Sequence, residues 1–510
     1  LHWPAWFERK HLSLLLAVDI GTGSCRGVLY DPELNRVGAA AVEYATQYPR
    51  PGWAEQDPET VFDAVLQAVS DAVAASRFHP AEVTALTLDG PLHTCLGLTA
   101  EGVPATPVLT WEDSRAHRIT HHLQQAAAGS EIYKQTGCPL HPLYPSAKIA
   151  WWRTHRPDRY AGIDRFVSLK AYVLFRLTGE LLEDQATASG SGLLNISTLD
   201  WDAGALEQTG VTREQLPPLV APTHVVSRLD RSISARTGLP ASIPVVVGSS
   251  DAAMSSLGSG TIDLDQMTVM VGTSGAVRRL VKAPLLDPQQ RTFCYYFADR
   301  LWFAGGAINN GGIVLRWFRD HFGRPARKET AKTEVSAYAD LCDAAVDIPP
   351  GSDGLFFLPF LAGERSPHWG SNMRASLIGL TLHHRQPHVI RALLEGVCYR
   401  IHSVAQPLED LVGESREVRA TGGFARSTVW LQILADVMGR ELLALREPEG
   451  SVLGAAALAL RTLGAIDSYG CLRDKNPVQR TIQPRPEAHR FYTTAYQRYL
   501  QLYWKLRPEF

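Results

Sequence analysis

The sequence predicts an α/β protein built from two large domains. Apolar, β-branched segments alternate with helical patterns along the whole chain. Its 510 residues exceed what a single core organises. A strand–turn–strand unit also occurs twice, once in each half, at Leu14 to Tyr30 and Thr268 to Leu280. Such a repeat reads as an internal duplication.

The first copy runs from the apolar Leu14–Val18 through Asp19-Ile20-Gly21-Thr22-Gly23-Ser24 into Arg26–Tyr30. It is a hairpin with a glycine tip and an acid on its rising edge. Asp57-Pro58-Glu59 opens a helix, with Pro at the first helical position and Val61, Val65, Ala68, Val69 and Val73 on its apolar face. Val83–Leu88 is a strand ending at Asp89-Gly90-Pro91-Leu92-His93, and Val108-Leu109 leads into Trp111-Glu112-Asp113-Ser114-Arg115. Both apolar segments end in polar and aromatic clusters, and open α/β sheets gather ligands at the carboxyl ends of their strands. His93 alone reads more readily as a satisfied, partly buried histidine than as a ligand group. Trp111 with Asp113 and Arg115 suits a sugar, whose C–H face packs on an aromatic ring; the alternative is a helix cap beside a core Trp. The Pro-rich stretch from Thr136 runs into a helix through Trp152, on which Lys148 reaches a ligand or lies on the solvated face. Ser168–Leu177 is helical, and Asp184–Asn195 is a small-residue turn packed near the cleft.

Val245–Val247 reads as a buried strand, broken by Gly248-Ser249-Ser250, with Asp251 at the start of a helix. Alone, Asp251 reads as a helix N-cap. Beside it, the second hairpin (Met267–Val271, then Gly272-Thr273-Ser274-Gly275) offers backbone N–H donors. A carboxylate to take an alcohol proton and an N–H nest to hold phosphate suit phosphoryl transfer. Ala304–Gly312 reads as a glycine loop entering the helix Ile313–Phe322, a generic anion site or a flexible connection. The apolar Leu355–Leu361 leads to Gly363-Glu364-Arg365-Ser366-Pro367, a loop with no evident packing purpose. Ala375–Leu380 precedes a helix over His388–Val404. Glu417–Ala420 is a strand, followed by Thr421-Gly422-Gly423-Phe424-Ala425-Arg426-Ser427 and a helix over Val429–Met438. The Ala- and Leu-rich Gly450–Leu463 is a buried helix.

A formal net charge of −2 gives no reason to expect nucleic acid or an anionic membrane as partner. Seven scattered cysteines without a C-x-x-C pair read as reduced thiols of a cytoplasmic enzyme and argue against a zinc site. No apolar run is long enough to span a bilayer. The opening residues do not resemble a signal peptide, and residues 1–11 are set aside as an extension.

Taken in order, AVDIGTGSCRGVLYD, the GSSDA acid, MVGTSGAV, the GERSP loop with ASLIGL and the helix bearing Glu395, and TGGFARS resemble the FGGY carbohydrate kinases. That resemblance covers about Leu14 to Tyr499. It implies two RNase H-like domains, of the sugar kinase, actin and Hsp70 fold, flanking a deep catalytic cleft. Residues 12–258 would form the sugar-binding domain with the first phosphate hairpin, and 259–510 the ATP-binding domain. By position, Asp251 resembles the catalytic base and Asp19 the acid that organises Mg²⁺. Thr22, Gly23 and Arg26 resemble the first phosphate hairpin, and Gly272, Thr273 and Ser274 the second. Gly312 and Arg316 fall in the nucleotide pocket, Gly422, Gly423 and Ser427 in the adenosine motif, and Leu92, His93, Trp111 and Asp113 in the sugar pocket. ATP and Mg²⁺ are the implied cofactors, a small sugar or sugar acid the partner, and a homodimer is compatible with the chain. Within the family, TGCPLHPLYPSAKIAWW, SLKAYVLFRLTGE, ATASGSGLLNI and LAGERSPHWGSNMRASLIGL look most like gluconate kinases. Asp89-Gly90-Pro91-Leu92-His93 departs from the family's usual Ser/Gly-Gln-Met-His turn. The expectation is therefore ATP-dependent phosphorylation of gluconate, with Lys148 or Arg115 meeting its carboxylate. The alternatives are a kinase for xylulose or another polyol, an ATP-binding protein of the actin or Hsp70 kind, and a non-catalytic sugar sensor.

Overall fold

A computed structural model describes residues 12–125, 128–322, 341–446 and 450–510; the 1–11 extension lies outside them. In the first half, β1 (Leu14–Ile20), β2 (Ser24–Tyr30), β3 (Arg36–Glu43), β4 (Val83–Gly90), β5 (Val225–Val226) and β6 (Val245–Ser250) form a six-stranded sheet, ordered β5-β6-β4-β1-β2-β3. β1 pairs antiparallel with β2 and parallel with β4, and β4 pairs parallel with β6. Every residue of β1 is buried, because helices cover both faces; this is why the strand reads as a continuous apolar run instead of alternating. On one face lies α1 (Pro58–Ala74), capped by Asp57 through the Thr60 N–H at 2.8 Å. Next come α2 (Pro145–His155), α3 (Leu169–Thr178, capped by Ser168 and ended by left-handed Gly179) and α4 (Asp251–Gly258).

The second sheet has seven strands: β7 (Gln266–Val271), β8 (Gly275–Val281), β9 (Phe293–Ala298), β10 (Leu301–Ile308), β11 (Glu417–Thr421), β12 (Leu442–Leu445) and β13 (Val478–Ile482). Their order is β9-β10-β8-β7-β11-β12-β13. With β9 set aside, it repeats the first sheet: an antiparallel meander, then two parallel neighbours and an antiparallel edge. The duplication seen in the hairpins thus extends to whole sheets. The helices of this half are α5 (Gly312–Phe322), α6 (Gln386–Val412), α7 (Thr428–Met438) and α8 (Ser451–Thr462).

α8 comes from the second half, yet it packs against α4 and against β1, β4 and β6 of the first. Ala455, Ala456 and Leu460 join Ala253, Met254, Leu257, Ala17 and Ala85 in one core. Glycines permit the close crossing: a Cβ on Gly454 would lie 2.0 Å from the Met254 carbonyl oxygen, and one on Gly258 1.9 Å from that of Gly450.

Four local expectations change. Val108-Leu109 pairs with Glu55-Gln56 in a separate small ladder, not in the main sheet. The small-residue stretch after Asp184 contains a helical turn, Gln185–Ser189. Ala304–Ile308 is strand, not glycine loop; a Cβ on Gly306 would lie 2.2 Å from Ser366 Oγ, so glycine lets the GERSP loop seat on the sheet. That loop also has a packing purpose. Glu364, 1 % exposed, pairs with buried Arg400 at 2.8 Å, and Ser366 Oγ donates to the Arg291 carbonyl at 2.6 Å.

Candidate active site

The parallel strands β1, β4 and β6 end side by side, and each end carries an acid: Asp19, Asp89 and Asp251. A cleft of about 820 Å³ opens over them and runs between the two sheets. A larger groove of about 1200 Å³, lined by His117, Trp369 and Trp504 among others, contains none of these acids and no phosphate-hairpin residue.

Asp251 is the first residue of α4 and not its cap. Ser250 holds that place, accepting the Ala253 N–H. The Asp251 carboxylate is left to the cleft, where it accepts the Ala252 N–H at 2.6 Å and the Leu92 N–H. Burial, and then the nearby Asp19 charge, push its carboxyl up to about 7, against a smaller opposing pull from Arg278. Asp19 Oδ2 lies 3.0 Å from Ser451 Oγ, the first residue of α8, and 3.5 Å from Arg26. Asp89 is fully buried, and among the described residues its carboxyl shares a side-chain hydrogen bond only with the Asp19 carboxyl group. Burial first, then Asp19 and Asp251, hold it well above the usual carboxylate range.

Both hairpins face the cleft. In the first, the Gly21 N–H bonds back to Ser24, and Trp111 Nε1 donates to Thr22 Oγ1 at 3.1 Å. The Thr22, Gly23, Thr273 and Ser274 N–H groups have no backbone partner among the described residues, as a phosphate nest requires. The start of α5 is different. The Gly312 N–H donates to the Gly272 carbonyl at 2.7 Å and the Ile313 N–H to that of Thr273 at 3.1 Å. These donors hold the second hairpin in place and are spent, so the glycines of residues 311–312 are a brace and not an anion site.

Of the residues singled out in the sequence, the cleft wall brings together Asp19, Thr22, Gly23, Arg26, Leu92, His93, Trp111, Asp251, Gly272, Thr273, Ser274, Arg316, Gly422 and Gly423. Gly312 stands behind the hairpin, and Ser427 caps α7 through the Trp430 N–H at 3.2 Å. Asp113 does not reach the cleft. It is 1 % exposed and held by Arg115 at 2.7 Å, and Arg115 also pairs with Glu55 at 2.6 Å. Lys148 is neither ligand nor surface. Fully buried, it donates to the His93 carbonyl at 2.6 Å and to the Thr110 carbonyl at 2.7 Å. It thereby ties together the two loops that carry His93 and Trp111. Neither cation expected to meet a carboxylate is free to do so.

His93 adopts a left-handed backbone (φ 67°), uncommon for a non-glycine residue. Its ring packs edge-on against Tyr144 and Tyr295. Burial keeps it neutral, and Nδ1 lies 2.7 Å from the Gly190 carbonyl, so Nδ1 carries the proton and Nε2 is left as an acceptor. Sequence reading missed Tyr295, Phe293, Arg278 and Arg365, which complete the wall from the second half. Arg365 stacks over the Trp111 ring at 4.9 Å and donates to the Ile308 carbonyl at 3.0 Å. Arg365 stands in the Gly-Glu-Arg-Ser-Pro loop and Arg278 in the second hairpin repeat, whereas Phe293 and Tyr295 are marked only by their alternation along β9.

A second group of polar side chains, Asp353, His383 and His388, lies off the cleft wall. His388 Nδ1 accepts the Arg385 N–H at 3.1 Å, so Nε2 bears the proton and donates to Asp353 at 3.2 Å. This arrangement starts α6 and needs no metal.

Among the described residues, no helix is long and apolar enough to cross a membrane. Residues 14–258 match the N-terminal domain of the FGGY family of carbohydrate kinases, and residues 267–463 match its C-terminal domain. The chain is 36 % identical to a gluconokinase of Bacillus subtilis, over 91 % of this chain and 90 % of that protein. It is 28 % identical to a xylulose kinase of Escherichia coli, over 97 % and 99 %. Among solved structures it resembles a gluconate kinase from Lactobacillus acidophilus (TM-score 0.89, 30 % identity, 97 % and 98 % covered). It also resembles a xylulose kinase from the same organism (TM-score 0.90, 31 % identity, 97 % and 99 % covered). With acids at the strand ends, facing hairpins and a duplicated sheet, the chain belongs to the FGGY family of carbohydrate kinases.

Proposed function

We propose that this carbohydrate kinase transfers the γ-phosphoryl group of ATP to the terminal hydroxyl of a sugar acid, gluconate giving 6-phosphogluconate. The observation that carries the reaction is Asp251, a carboxylate at the cleft floor between the sugar-side wall and both N–H hairpins. Asp251 takes the hydroxyl proton while that oxygen attacks phosphorus and ADP leaves. The Thr22–Gly23 and Thr273–Ser274 N–H groups hold the phosphates, so most of the acceleration comes from positioning and fixed dipoles. His93 Nε2 and the Trp111 face orient the sugar. Gly422 and Gly423, where the backbone lies bare between β11 and α7, take the adenosine.

Mg²⁺ fits the floor of this cleft. Asp19 offers a carboxylate to the cleft whose contacts, Ser451 and Arg26, leave it room to bind. Bound with ATP, the ion would neutralise phosphate charge. Closure of the two sheets over both ligands would exclude water.

The higher identity to gluconokinase than to xylulose kinase supports the acid substrate. The near-equal likeness to solved gluconate and xylulose kinases makes a pentulose such as xylulose the second reading. An ATP-consumption screen over aldonates, ketoses and polyols tests them. Gluconate should give the highest kcat/KM, and a pentulose better by about tenfold, ~1.4 kcal/mol of transition-state binding, would replace it.

A further inference from the structure

We propose that Arg278 recognises the carboxylate of an acidic sugar and sets this kinase's preference for aldonates over neutral sugars. The proposal rests on the aldonate reading above and adds the residue that enforces it.

Arg278 lies on β8 and lines the cleft with Asp251, Tyr295 and Arg365. It is 9 % exposed, and its guanidinium makes no hydrogen bond and no ion pair among the described residues. Four other buried arginines have acid partners: Arg115 with Asp113, Arg391 with Glu395, Arg400 with Glu364 and Arg419 with Glu417, while Arg279 and Arg365 donate to backbone carbonyls. Asp251 acts on Arg278 electrostatically without reaching ion-pair contact. The guanidinium nitrogens keep contact with the solvent of the cleft, and a carboxylate is the partner that a planar guanidinium fork fits best. Arg365 adds a second cation at the same wall, with its Nε atom unpartnered among the described residues.

The place is built for this side chain. Arg278 stands opposite Gly305 of β10, where a Cβ would lie 3.3 Å from Arg278 Cγ and 2.3 Å from the Val277 carbonyl oxygen. Glycine there leaves the sheet face open for the arginine to lie across it, toward Phe293 and Tyr295, which stack at 4.2 Å. Arg278 is also removed from the phosphate turn. Three residues of strand at ~3.3 Å each put its Cα roughly 10 Å from Gly275. This offset suits the far end of an extended sugar acid whose other end meets Asp251.

The experiment compares wild type, Arg278→Gln and Arg278→Lys with gluconate, with glucitol (the same chain with a hydroxymethyl group for the carboxylate) and with xylulose. Assays run at about pH 8.5, where a base titrating near 7 is ionised in every protein. Removing one partner of a buried charge pair should lower the gluconate-to-neutral ratio of kcat/KM by about 10²-fold in Arg278→Gln, mainly through KM. Arg278→Lys should fall between. Calorimetric titration of gluconate without nucleotide should show the same order. An unchanged ratio in a wild type that prefers gluconate overturns the role of Arg278 and leaves the substrate standing. Equal losses on acid and neutral substrates also overturn it, since the arginine then serves the phosphate or the fold. A wild type that prefers xylulose or glucitol removes the aldonate reading itself, before any variant is made.

Discussion

Replacing Asp251 by Asn should abolish most activity and raise stability at the same time. Asn keeps the side-chain size, and the helix cap belongs to Ser250, so the start of α4 stays intact. It cannot accept a proton. General-base assistance is worth about 10²–10⁴-fold, and kcat should fall by that factor with binding of ATP and sugar little changed. The stability change follows from linkage. Burial and Asp19 hold the Asp251 carboxyl at about 7 in the folded protein, whereas the unfolded chain returns it to about 3.9. A value raised by folding means that the native state binds the proton more tightly. The stabilisation is fully present below about pH 4 and is lost as pH rises through about 7. At ~1.4 kcal/mol per pH unit, the ionised carboxylate costs the fold up to roughly 4 kcal/mol. This is an upper bound, because the half-buried side chain meets solvent through the cleft. Asn escapes that cost. The variant should therefore melt several degrees above wild type at about pH 8, with the gap shrinking steadily toward about pH 4. Coupled ATP-consumption kinetics and scanning calorimetry at both ends of that range decide it. A folded variant within about tenfold of wild-type kcat refutes the base assignment. A variant that melts lower at the alkaline end shows instead that the lost activity is structural.

Asp19→Asn should impair turnover with an altered Mg²⁺ dependence. Because the Asp19 charge helps to raise Asp251, the acid limb of the pH–rate profile should move to lower pH, and an unmoved limb would separate the two acids. Gly454→Val drives a side chain into the Met254 carbonyl; such overpacking costs about 1–3 kcal/mol, and lower melting together with lower kcat is expected, since α4 carries Asp251. Solution scattering should give a smaller radius of gyration with sugar plus a non-hydrolysable ATP analogue, and no change at saturation would mean that the cleft of the free protein is already closed.

Much of the fold was legible because its signals are local. Apolar runs broken by glycine mark β1, β6 and β7, and Asp57-Pro58 and Ser168 announce α1 and α3. The repeat of the hairpin foretold the repeat of the sheet. Reading failed where a residue's reason lies far away in sequence. Gly305 and Gly306 look like a loop, yet they are strand residues made small by Arg278, Ser366 and Val404. Asp113 and Lys148 look like ligand groups because they are polar beside a Trp. Their partners, Arg115 with Glu55 and the carbonyls of His93 and Thr110, show them to be internal struts. Buried structural charge and catalytic charge use the same residue types, and only the partner separates them. By that criterion Asp251 and Arg278, which reach no opposite charge within ion-pair distance among the described residues, stand apart from Asp113 and Arg115.

The same criterion bears on how the halves move. Ser451, at the start of α8, bonds Asp19 of β1, and α8 crosses α4 of the first half through glycine contacts too close to slide. Separating α8 from β1 and α4 would break that hydrogen bond and expose the shared core around Ala253 and Ala456. A motion that brings the Thr22 and Thr273 turns together must therefore leave the α4–α8 crossing in place and rotate the sheets about it. The acids lie at that crossing, on the side that moves least. They can hold their mutual geometry while the N–H hairpins close around the phosphates, which is the arrangement a positional catalyst needs.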